Sequence, residues 1–424
     1  MVYDDGAVSF GEIHSSLKGT EAVYLLPPSA HNERISPLVK RVAPFVPTTG
    51  DAAADAARVR EAEVDAIVTF SEQRLMYTAL LAGELGLPFH QPETVELLTD
   101  KYAQRVRLRE AGVDSVRSSL VGTVPELRKA VAGTVGLPAV LKPRTGVGSR
   151  DTHLVRTLDE AEAILTDVLD RLGPVQFVLE EYLEGATSAP FGDYVSVESL
   201  IADGQIRHIG VTGKMPLAPP FRETAQFWPS CLSPAQEAAV TRLVGQALGA
   251  LGVRTGLTHT EVKLTDDGPR LIEINGRVGG LIPELYGRAT GIDLVSVAAG
   301  VACGEEVELA RPRPDRVHFQ YTNPAPLFSC ILESVSGVRE VSAHPDVIRY
   351  IPHVKSGTRL DDGVMTRTLD MICGDSADHA QMVATFEEIL HVLEFSFLRY
   401  GETVRLSGFD LTHDPADAPS TFNR

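Results

Sequence analysis

The stretch THTEVKLTDDGPRLIEINGR (258–277) contains two runs of alternating polar and apolar residues around a turn signal at 266–268. This alternation predicts a β-hairpin with one buried face. A loop of three or five residues would place Glu261 directly opposite Glu273 on the same face. A two-residue Asp-Gly loop would shift the register by one and put the two glutamates on opposite faces.

Two facing carboxylates repel each other unless a cation lies between them, and a divalent ion such as Mg²⁺ or Mn²⁺ prefers oxygen ligands. Asn275 lies on the same face as Glu261 and Glu273 and offers a third oxygen. The alternative is a solvated edge hairpin whose acids extend into water. Arg277 continues this face, and its fixed charge suits an acyl phosphate or a tetrahedral oxyanion. A simple ion pair between Arg277 and a glutamate is the other interpretation.

Bulk properties narrow the class of protein. A chain of 424 residues is expected to form two to three domains, and its net charge of -18 argues against nucleic acid or an anionic membrane as partner. The four cysteines have no CxxC spacing, which is typical of reduced thiols in the cytoplasm. The opening MVYDDGAVSF has no apolar core of the signal-peptide kind, and no apolar run is long enough for a membrane span.

Strand and helix signals alternate over residues 1–100, with short apolar runs at 22–28, 65–70 and 87–90 that predict strands of a small parallel sheet. The fold class is therefore α/β, with α+β character further along the chain. Strands predominate after residue 190, and a clear helix near the C-terminus is predicted in ADHAQMVATFEEILHVLEF.

A glycine-bearing loop follows a strand that ends at Lys142. The backbone N–H groups of Gly146 and Gly148 and the hydroxyl of Ser149 are suited to closing around phosphate oxygens, and Lys142 can reach the same phosphates. The loop does not have the GxxxxGK[ST] pattern of a P-loop. A flexible hairpin loop without a ligand is the alternative interpretation.

Two further features suit a nucleotide. Lys101 opens a helix with Thr99 or Asp100 as its cap, and a cation at a helix start opposes the macrodipole, which mildly favours a functional lysine. A solvated surface lysine is still the simpler interpretation of Lys101 taken alone. The strand end LEEYLEG (179–185) leads into a linker whose acids and main chain offer partners for an adenine ring. A polar strand end without a ligand remains the simpler interpretation of that segment.

In this order, these features resemble the ATP-grasp superfamily over residues 65–305. The resemblance implies binding of ATP and of Mg²⁺ (or Mn²⁺), with two ions expected. It implies ATP contacts by Lys101, Lys142, Gly146, Gly148, Ser149, Glu180, Glu181 and Leu183, and metal ligation by Glu261, Glu273 and Asn275. It also implies four regions: a Rossmann-like pre-ATP-grasp domain (1–100), a small lid-bearing subdomain (101–190), a large subdomain with the metal hairpin (191–305) and a C-terminal α+β domain (306–424).

The reaction implied by the resemblance is ATP cleavage to ADP, transfer of the γ-phosphoryl group to a carboxylate, and attack on the acyl phosphate by an amine. Such chemistry depends on positioning of the reactants and on neutralisation of the phosphate charge, so no side-chain nucleophile is needed. Glu273 and Arg277 are the expected catalytic residues. The sequence offers no Ser/His/Asp or Cys/His constellation, which agrees with this chemistry.

Within the superfamily the chain is most similar to L-amino acid ligases, which form dipeptides in antibiotic pathways. The likeness lies in the 70–72 and 219–230 segments and in the metal hairpin. It implies substrate contacts by Ser71, Glu72, Glu223, Gln226, Arg277 and Leu281. Gln226 stands where histidine is usual and Ser71 where asparagine is usual, so the amino-acid substrates are left open.

The leading hypothesis is therefore a cytoplasmic carboxylate–amine ligase of specialised metabolism. It would act on small molecules, at least one of them an amino acid, and a homodimer is expected. One alternative with the same fold is a carboxylase or a ligase that acylates a carrier protein. Another is a non-catalytic nucleotide-binding protein, against which the retained set Glu261, Glu273 and Asn275 argues.

Overall fold

The computed structural model of the chain describes residues 1–309 and 314–412. Within these residues the strands form a two-stranded sheet, an eight-stranded sheet and two four-stranded sheets. No helix in the described part of the chain is long and apolar enough to cross a membrane.

The N-terminal region is built on a small parallel sheet, as predicted. Strand β1 (Tyr24–Leu26) pairs in parallel with β2 (Phe45–Pro47), and Val2 bridges β1 to Thr69. The surrounding helices are α1 (Phe10–Ser16), α2 (Ala30–Val42), α3 (Ala52–Arg60), a 3₁₀ turn (Glu72–Arg74), α4 (Leu75–Leu85) and α5 (Pro92–Thr99).

Two of the predicted strands in this region need correction. The run at 65–70 contributes only the bridge at Thr69, and 87–90 is not a strand. The N–H of Leu87 instead donates to the carbonyl of Ala82 and closes the end of α4, and Pro88 has no N–H to give to a ladder.

Residues 101–181 form an antiparallel sheet with the strand order β3-β6-β4-β5, covered by helices over a shared apolar core. Its strands are β3 (Ser118–Val121), β4 (Ala139–Pro143), β5 (His153–Val155) and β6 (Phe177–Glu181). Its helices are α6 (Lys101–Glu110), α7 (Val124–Lys129), which continues into a π turn (Ala130–Thr134), and α8 (Leu158–Leu172). The predicted glycine loop joins β4 to β5, and Lys142 lies near the end of β4.

The rest of the described chain builds two further antiparallel sheets. The strands are β7 (Tyr194–Ala202), β8 (Gln205–Lys214), β9 (Ala225–Trp228), β10 (Gly256–Thr265), β11 (Gly268–Asn275), β12 (Val317–Tyr321), β13 (Cys330–Ser336), β14 (Val347–Pro352), β15 (Arg359–Leu360), β16 (Asp370–Ser376), β17 (Glu394–Arg399) and β18 (Glu402–Ser407). The helices are α9 (Pro234–Ala250), α10 (Ile282–Thr290), α11 (Leu294–Ala302), α12 (Val338–Ser342) and α13 (His379–Val392). The large sheet has the order β11-β10-β7-β8-β9-β12-β16-β14, and the smaller one has the order β15-β13-β17-β18.

The large sheet continues through the boundary predicted at residue 305, because β12, β14 and β16 extend it beyond β9. The segment between β15 and β16 therefore starts from the small C-terminal sheet and ends in the large one. This connection carries residues from the C-terminal region toward the glycine loop.

The central hairpin of β10 and β11 has the shorter of the two kinds of loop considered from the sequence. Thr265 pairs with Gly268, so the loop is the two residues 266–267 rather than an odd number. In a regular ladder a two-residue loop would place the two glutamates on opposite faces.

A β-bulge restores the facing pair. The register shifts between Glu261 and Val262, so that Ile272 is an extra residue on β11 and Glu261 pairs with Glu273. Arg105 of α6 donates to the carbonyls of Leu271 (2.8 Å) and Ile272 (2.6 Å) at this point. The facing glutamates are therefore confirmed, and they depend on a bulge that a distant arginine stabilises.

Candidate active site

A cavity of about 310 Å³ lies between the sheet of residues 118–181 and the face of the large sheet that carries the two glutamates. Of the residues predicted to act, its wall contains Lys101, Lys142, Gly146, Gly148, Ser149, Glu180, Glu181, Leu183, Glu223, Glu261, Glu273, Asn275 and Arg277. The hairpin, the glycine loop and the strand end after β6 therefore meet around one space.

The floor of the cavity, formed by Glu261, Glu273 and Asn275, is acidic, and neighbouring cations compensate its charge. Burial alone raises the pKa of Glu273, but Lys101, Lys142 and Arg277 outweigh it and keep that pKa below its usual value. Burial likewise opposes ionisation of Glu261, and its contact with His259 lowers the pKa again. Both carboxylates are therefore ionised at neutral pH, as a cation site requires.

Lys101 connects the floor to the glycine loop. Its Nζ lies 2.8 Å from Glu273 Oε1 and donates to the carbonyl of Gly146 at 2.7 Å. Asp100 is the cap of α6 and accepts from the N–H of Tyr102, which offsets the cost of a cation at the helix start. Although burial lowers the pKa of Lys101, Glu273 raises it more, so the ammonium remains charged.

Lys142 enters the cavity from β4 and is held by Glu180, whose Oε2 lies 2.9 Å from its Nζ. Arg105 binds the same carboxylate through two hydrogen bonds of 3.0 Å. Burial opposes ionisation of Glu180, yet Arg105 and Lys142 bring its pKa down to about 2. The Glu180 carboxylate is thus paired with Arg105 and Lys142. Contact of this residue with adenine stays a prediction.

Glu181 is the next residue along the strand, and its carboxylate is also engaged. Its Oε1 accepts from the backbone N–H of Arg117 at 3.0 Å, and its Oε2 accepts from the Arg117 side chain at 2.6 Å. Both Glu181 and Leu183 line the cavity. Main-chain groups of this strand end are the better candidates for contact with a base.

Arg277 forms the side of the cavity that faces the N-terminal region. Its guanidinium donates to Glu72 Oε2 at 3.0 Å and to the carbonyl of Val278 at 3.1 Å. Burial raises the pKa of Glu72, and Arg277 counteracts only part of this increase. Ser71 donates to the carbonyl of Asp5 at 2.8 Å, so its hydroxyl supports the turn behind Glu72.

Four of the predicted substrate residues lie outside the cavity wall: Ser71, Glu72, Gln226 and Leu281. The side-chain amide of Gln226 accepts from Lys214 at 3.0 Å and donates to Gln320 at 2.8 Å. Lys214 also binds Glu223 at 2.9 Å, which connects Gln226 indirectly to the cavity. Leu281 adopts a left-handed backbone with φ of 63°, and its carbonyl accepts from Gln320.

His259 supports this floor from between two carboxylates, a position that the sequence alone did not reveal. Its Nδ1 lies 2.5 Å from Glu198 Oε1, and its Nε2 lies 3.6 Å from Glu261 Oε1. Burial lowers the pKa of His259, but Glu198 raises it to about 9, so the imidazolium lies between two carboxylates. The spacing of two residues from Glu261 along β10 was the available signal, since alternate residues share a face.

Two further cations were also missed. Lys263, the next residue on the same face of β10, contacts Asp193 Oδ2 at 2.7 Å and lies over the ring of Tyr182. Arg105 lies one helical turn after Lys101 on α6, a spacing that places both side chains on one face. Nothing in either local sequence identified the carboxylate partner, because each partner comes from a different part of the chain.

The floor suits Mg²⁺ in an open site. Within residues 1–309 and 314–412, no three His, Cys, Asp or Glu side chains come together as a metal cluster. Glu261, Glu273 and the amide of Asn275 share one face of the hairpin and line the cavity. Mg²⁺ commonly takes one or two carboxylates and completes its shell with phosphate and water, so this small oxygen set fits the ion.

Residues 135–284 match the family of ATP-grasp domains. The chain carries an ATP-grasp domain. It is similar to the alanine–anticapsin ligase of Bacillus subtilis, with 29% identity over 267 residues, 58% of this chain and 56% of that protein. It is also similar to carnosine synthase 1 of Mus musculus, with 31% identity over 287 residues, 61% of this chain and 33% of that protein. The chain therefore aligns with about half, or less, of the length of these two relatives.

Among solved structures, an L-amino acid ligase from Bacillus licheniformis has a similar fold. The TM-score is 0.75 over 92% of this chain and 96% of that chain, at 21% identity. The predicted ATP-grasp fold is thus confirmed, and the similarity in fold to that ligase extends over nearly the whole length of the chain. The matched ATP-grasp segment contains the glycine loop, the strand end after β6 and the metal hairpin, but not Lys101 or the C-terminal region.

Proposed function

We propose that the protein is an ATP- and Mg²⁺-dependent carboxylate–amine ligase that forms an amide bond through an acyl phosphate. At least one of its substrates is an amino acid. The observation that carries this proposal is a single cavity lined by the facing carboxylates Glu261 and Glu273, by the partly buried Lys101 and the buried Lys142, and by Arg277, which is paired with Glu72. The names of the two relatives, an alanine–anticapsin ligase and a carnosine synthase, support the proposal.

The lysines are suited to the phosphate chain of ATP. Lys101 and Lys142 approach the cavity from α6 and β4. The partly buried carboxylate of Glu273 holds Lys101, and the buried carboxylate of Glu180 holds Lys142. A lysine that is fixed and desolvated before the ligand arrives costs less to organise when charge develops on the phosphates. Gly146, Gly148 and Ser149 cover the same space from the glycine loop.

Mg²⁺ held by Glu261, Glu273 and Asn275 would neutralise charge on the phosphates and orient them for displacement. The protein prepares this floor by pairing His259 with Glu198 behind Glu261. That pair leaves the Glu261 carboxylate fixed beside the cavity. Lys101 compensates the charge of Glu273. A bound cation would share that charge, and the Lys101 ammonium would then be available to phosphate oxygens.

Arg277 is suited to the acyl side of the reaction. A carboxylate oxygen of the first substrate attacks the γ-phosphorus, and ADP leaves. The amine nitrogen of the second substrate then attacks the acyl carbon, the phosphate leaves with the electrons of the C–O bond, and the nitrogen loses a proton. Arg277, held by Glu72, stabilises the negative charge on the acyl phosphate and on the tetrahedral state.

Glu223 is the candidate partner for a substrate amino group. It lines the cavity, and its side chain is partly exposed while Lys214 binds one of its oxygens. A carboxylate with one oxygen engaged retains acceptor capacity for an ammonium group. Gln226 contributes by fixing Lys214 rather than by direct contact with the cavity.

The decisive experiment is a phosphate-release screen over pairs of carboxylate and amine candidates, with mass detection of the product. Equal amounts of ADP, phosphate and amide support the proposal. AMP as the co-product would indicate adenylation and overturn it. Phosphate release that requires bicarbonate or an acyl carrier protein would favour the carboxylase or carrier alternatives, and binding of ATP without any turnover would favour a non-catalytic protein.

The homodimer also stays a prediction, which light scattering on the purified protein tests.

A further inference from the structure

The C-terminal region supplies one element of the cavity that lies outside the matched ATP-grasp segment. Residues 361–369 connect β15 to β16, and Thr366 lines the cavity beside Gly148, Ser149 and Glu223. We call residues 361–369 the latch segment. Its position against the glycine loop is not explained by the packing of a domain core, because residues 361–367 are exposed or half-buried.

The latch segment binds the glycine loop through main-chain hydrogen bonds in both directions. The N–H of Thr366 donates to the carbonyl of Gly148 at 2.7 Å, and the N–H of Asp151 donates to the carbonyl of Val364 at 2.8 Å. Such reciprocal bonds resemble a short piece of antiparallel ladder. They attach the loop over the cavity to a segment more than two hundred residues further along the chain.

The glycine loop is strained where it meets the latch segment. Ser149 and Asp151 have φ values of 53° and 48°, in the left-handed region that residues with a side chain seldom adopt. Conformations of this kind persist where the surroundings impose them, and they concentrate at ligand clamps. The hydrogen bond of Asp151 to Val364, together with its ion pair to Arg171, supplies that constraint.

The latch segment is itself anchored at both ends. The N–H of Asp362 donates to Ser329 Oγ at 3.1 Å, and the N–H of Ala325 donates to the carbonyl of Arg367 at 2.7 Å. The N–H of Leu369 donates to the carbonyl of Asn323 at 2.8 Å. The middle of the segment is therefore presented to the glycine loop from a fixed base.

The same base holds the segment that carries Glu223. Arg222 donates to the carbonyl of Ala325 at 2.6 Å, and the N–H of Glu223 lies 3.4 Å from the hydroxyl of Thr366. Thr366 thus contacts the nucleotide side through its backbone and the proposed substrate side through its hydroxyl. One residue connects the two halves of the cavity.

We infer that the latch segment holds the glycine loop closed over the cavity and that Thr366 is a positioning residue that couples this loop to the Glu223 segment. The inference rests on the proposed function, because it concerns the same cavity. A closed loop excludes water from an acyl phosphate. When the loop opens, water attacks the acyl carbon in place of the amine, the carboxylate and phosphate are released, and ATP is consumed without amide formation.

Three variants separate the contributions of Thr366. Thr366→Pro removes the N–H that binds Gly148, Thr366→Val removes only the hydroxyl, and Thr366→Ser keeps both groups and is the control. Hydrogen exchange of the glycine-loop amides, measured without substrates, reports loop closure directly. The ratio of phosphate released to amide formed reports coupling, which a purely structural role of Thr366 would leave unchanged.

For Thr366→Pro we expect the Asp151 amide to exchange about tenfold faster, since a backbone hydrogen bond is worth up to that factor in an equilibrium. We also expect the phosphate-to-amide ratio to rise by roughly threefold or more as water enters the site. Thr366→Val is expected to leave loop exchange unchanged and to raise the KM of the amine substrate. Thr366→Ser is expected to match the wild type in every measurement.

A folded Thr366→Pro variant with unchanged loop exchange and an unchanged ratio would overturn the inference. If that variant does not fold, hydrogen exchange of the wild-type protein provides the test. Exchange of the Asp151 and Thr366 amides at the rate of unprotected amides would also overturn the inference. These exchange measurements require no turnover. A protein that releases no phosphate with any substrate pair would therefore refute the proposed function while the latch is still tested.

Discussion

At the scale of single residues, the charged side chains of the site are buried or partly buried, and they are matched in pairs or triads. Arg105 is the most connected of them, because it binds the carboxylate of Glu180 and two carbonyls of the hairpin bulge. Glu180 in turn holds Lys142. A single arginine on α6 therefore positions a lysine on β4 and the backbone beside Glu273.

Replacement of Arg105 by Met is expected to destabilise the protein by about 3–5 kcal/mol, because the buried Glu180 loses its bidentate partner. The matched control is Arg128→Met, which breaks a bidentate pair with Glu162 on an exposed surface. We expect little change in that variant, since surface pairs contribute little. Denaturant unfolding of both variants measures the difference, and equal losses of stability would contradict the account.

Arg277→Ala is expected to lower amide formation by about a hundredfold or more while leaving ATP affinity close to that of the wild type. The reason is that Arg277 is assigned to charge that develops on the acyl group rather than to the nucleotide. Calorimetric titration with a non-hydrolysable ATP analogue, together with product analysis, tests this assignment. Loss of nucleotide affinity instead would place Arg277 on the ATP side of the cavity.

At the scale of elements, the turn between β11 and α10 supports the floor on the side away from the cavity, through Glu198 and His259. The N–H of Gly279 donates to Glu198 Oε2 at 3.3 Å, and Glu198 binds His259. A Cβ added at Gly279 would lie 2.4 Å from His259 Nδ1, whereas one added at Gly280 would meet no atom within 4 Å. The hairpin and this turn therefore depend on close approach of the backbone at one glycine.

Gly279→Ala is accordingly expected to cost about 1–3 kcal/mol of stability through overpacking against His259. Gly280→Ala, one residue further on, is the control and is expected to leave the melting temperature nearly unchanged. Thermal unfolding of the two variants provides the comparison. If Gly279→Ala is as stable as Gly280→Ala, the contact between the turn and His259 is not a constraint on the floor.

The hairpin also shows what the sequence was able to predict. Alternation along β10 and β11 identified both strands and the shared face of the glutamates, because apolar and polar positions alternate there. The sequence left the loop length open, and with the two-residue loop that the structure has, the glutamates face each other only because of the bulge at Ile272. The bulge depends on Arg105, which is far away in sequence, so no local pattern around residue 272 signals it.

At the scale of the whole molecule, the C-terminal region completes both the large sheet and the cavity. The order of motifs along residues 65–305 was sufficient to predict the fold and about half of the residues that line the cavity, since each motif carries its own residue pattern. The latch segment was not predicted, because its hydrogen bonds to the glycine loop are made by main-chain groups of Val364 and Thr366. Main-chain contacts of this kind leave no signature in residue type.

The buried Asp370 of β16 links the stability of this C-terminal region to pH. Burial raises its pKa to about 6, although Asn323 donates to it. Because the folded-state pKa lies above the unfolded value, the folded protein holds its proton more tightly, and stability decreases as pH rises through about 4 to 6. Between pH 5 and pH 7.5 the loss from this group is expected to be about 1.4 kcal/mol, which corresponds to one pKa unit.

Asp370→Asn removes the titrating group and keeps an oxygen that accepts from Asn323. We expect this variant to gain stability relative to the wild type as pH increases from 5 to 7.5. Denaturant unfolding of both proteins at the two pH values measures this difference, and other titrating groups cancel in the comparison. A stability difference that does not change with pH would show that Asp370 has an ordinary pKa.

We assign the paired glutamates Glu261 and Glu273 to the floor of a phosphoryl-transfer site. Glu273→Gln keeps the shape of the side chain but removes the charge that faces Glu261 and binds Lys101. The most direct test is ATP-dependent phosphate release by this variant and by the wild type, with a substrate pair found in the screen and with ADP identified as the co-product. The account predicts equal ADP, phosphate and amide from the wild type, and a loss of at least about a hundredfold in a folded Glu273→Gln protein. Wild-type turnover by the variant would contradict it.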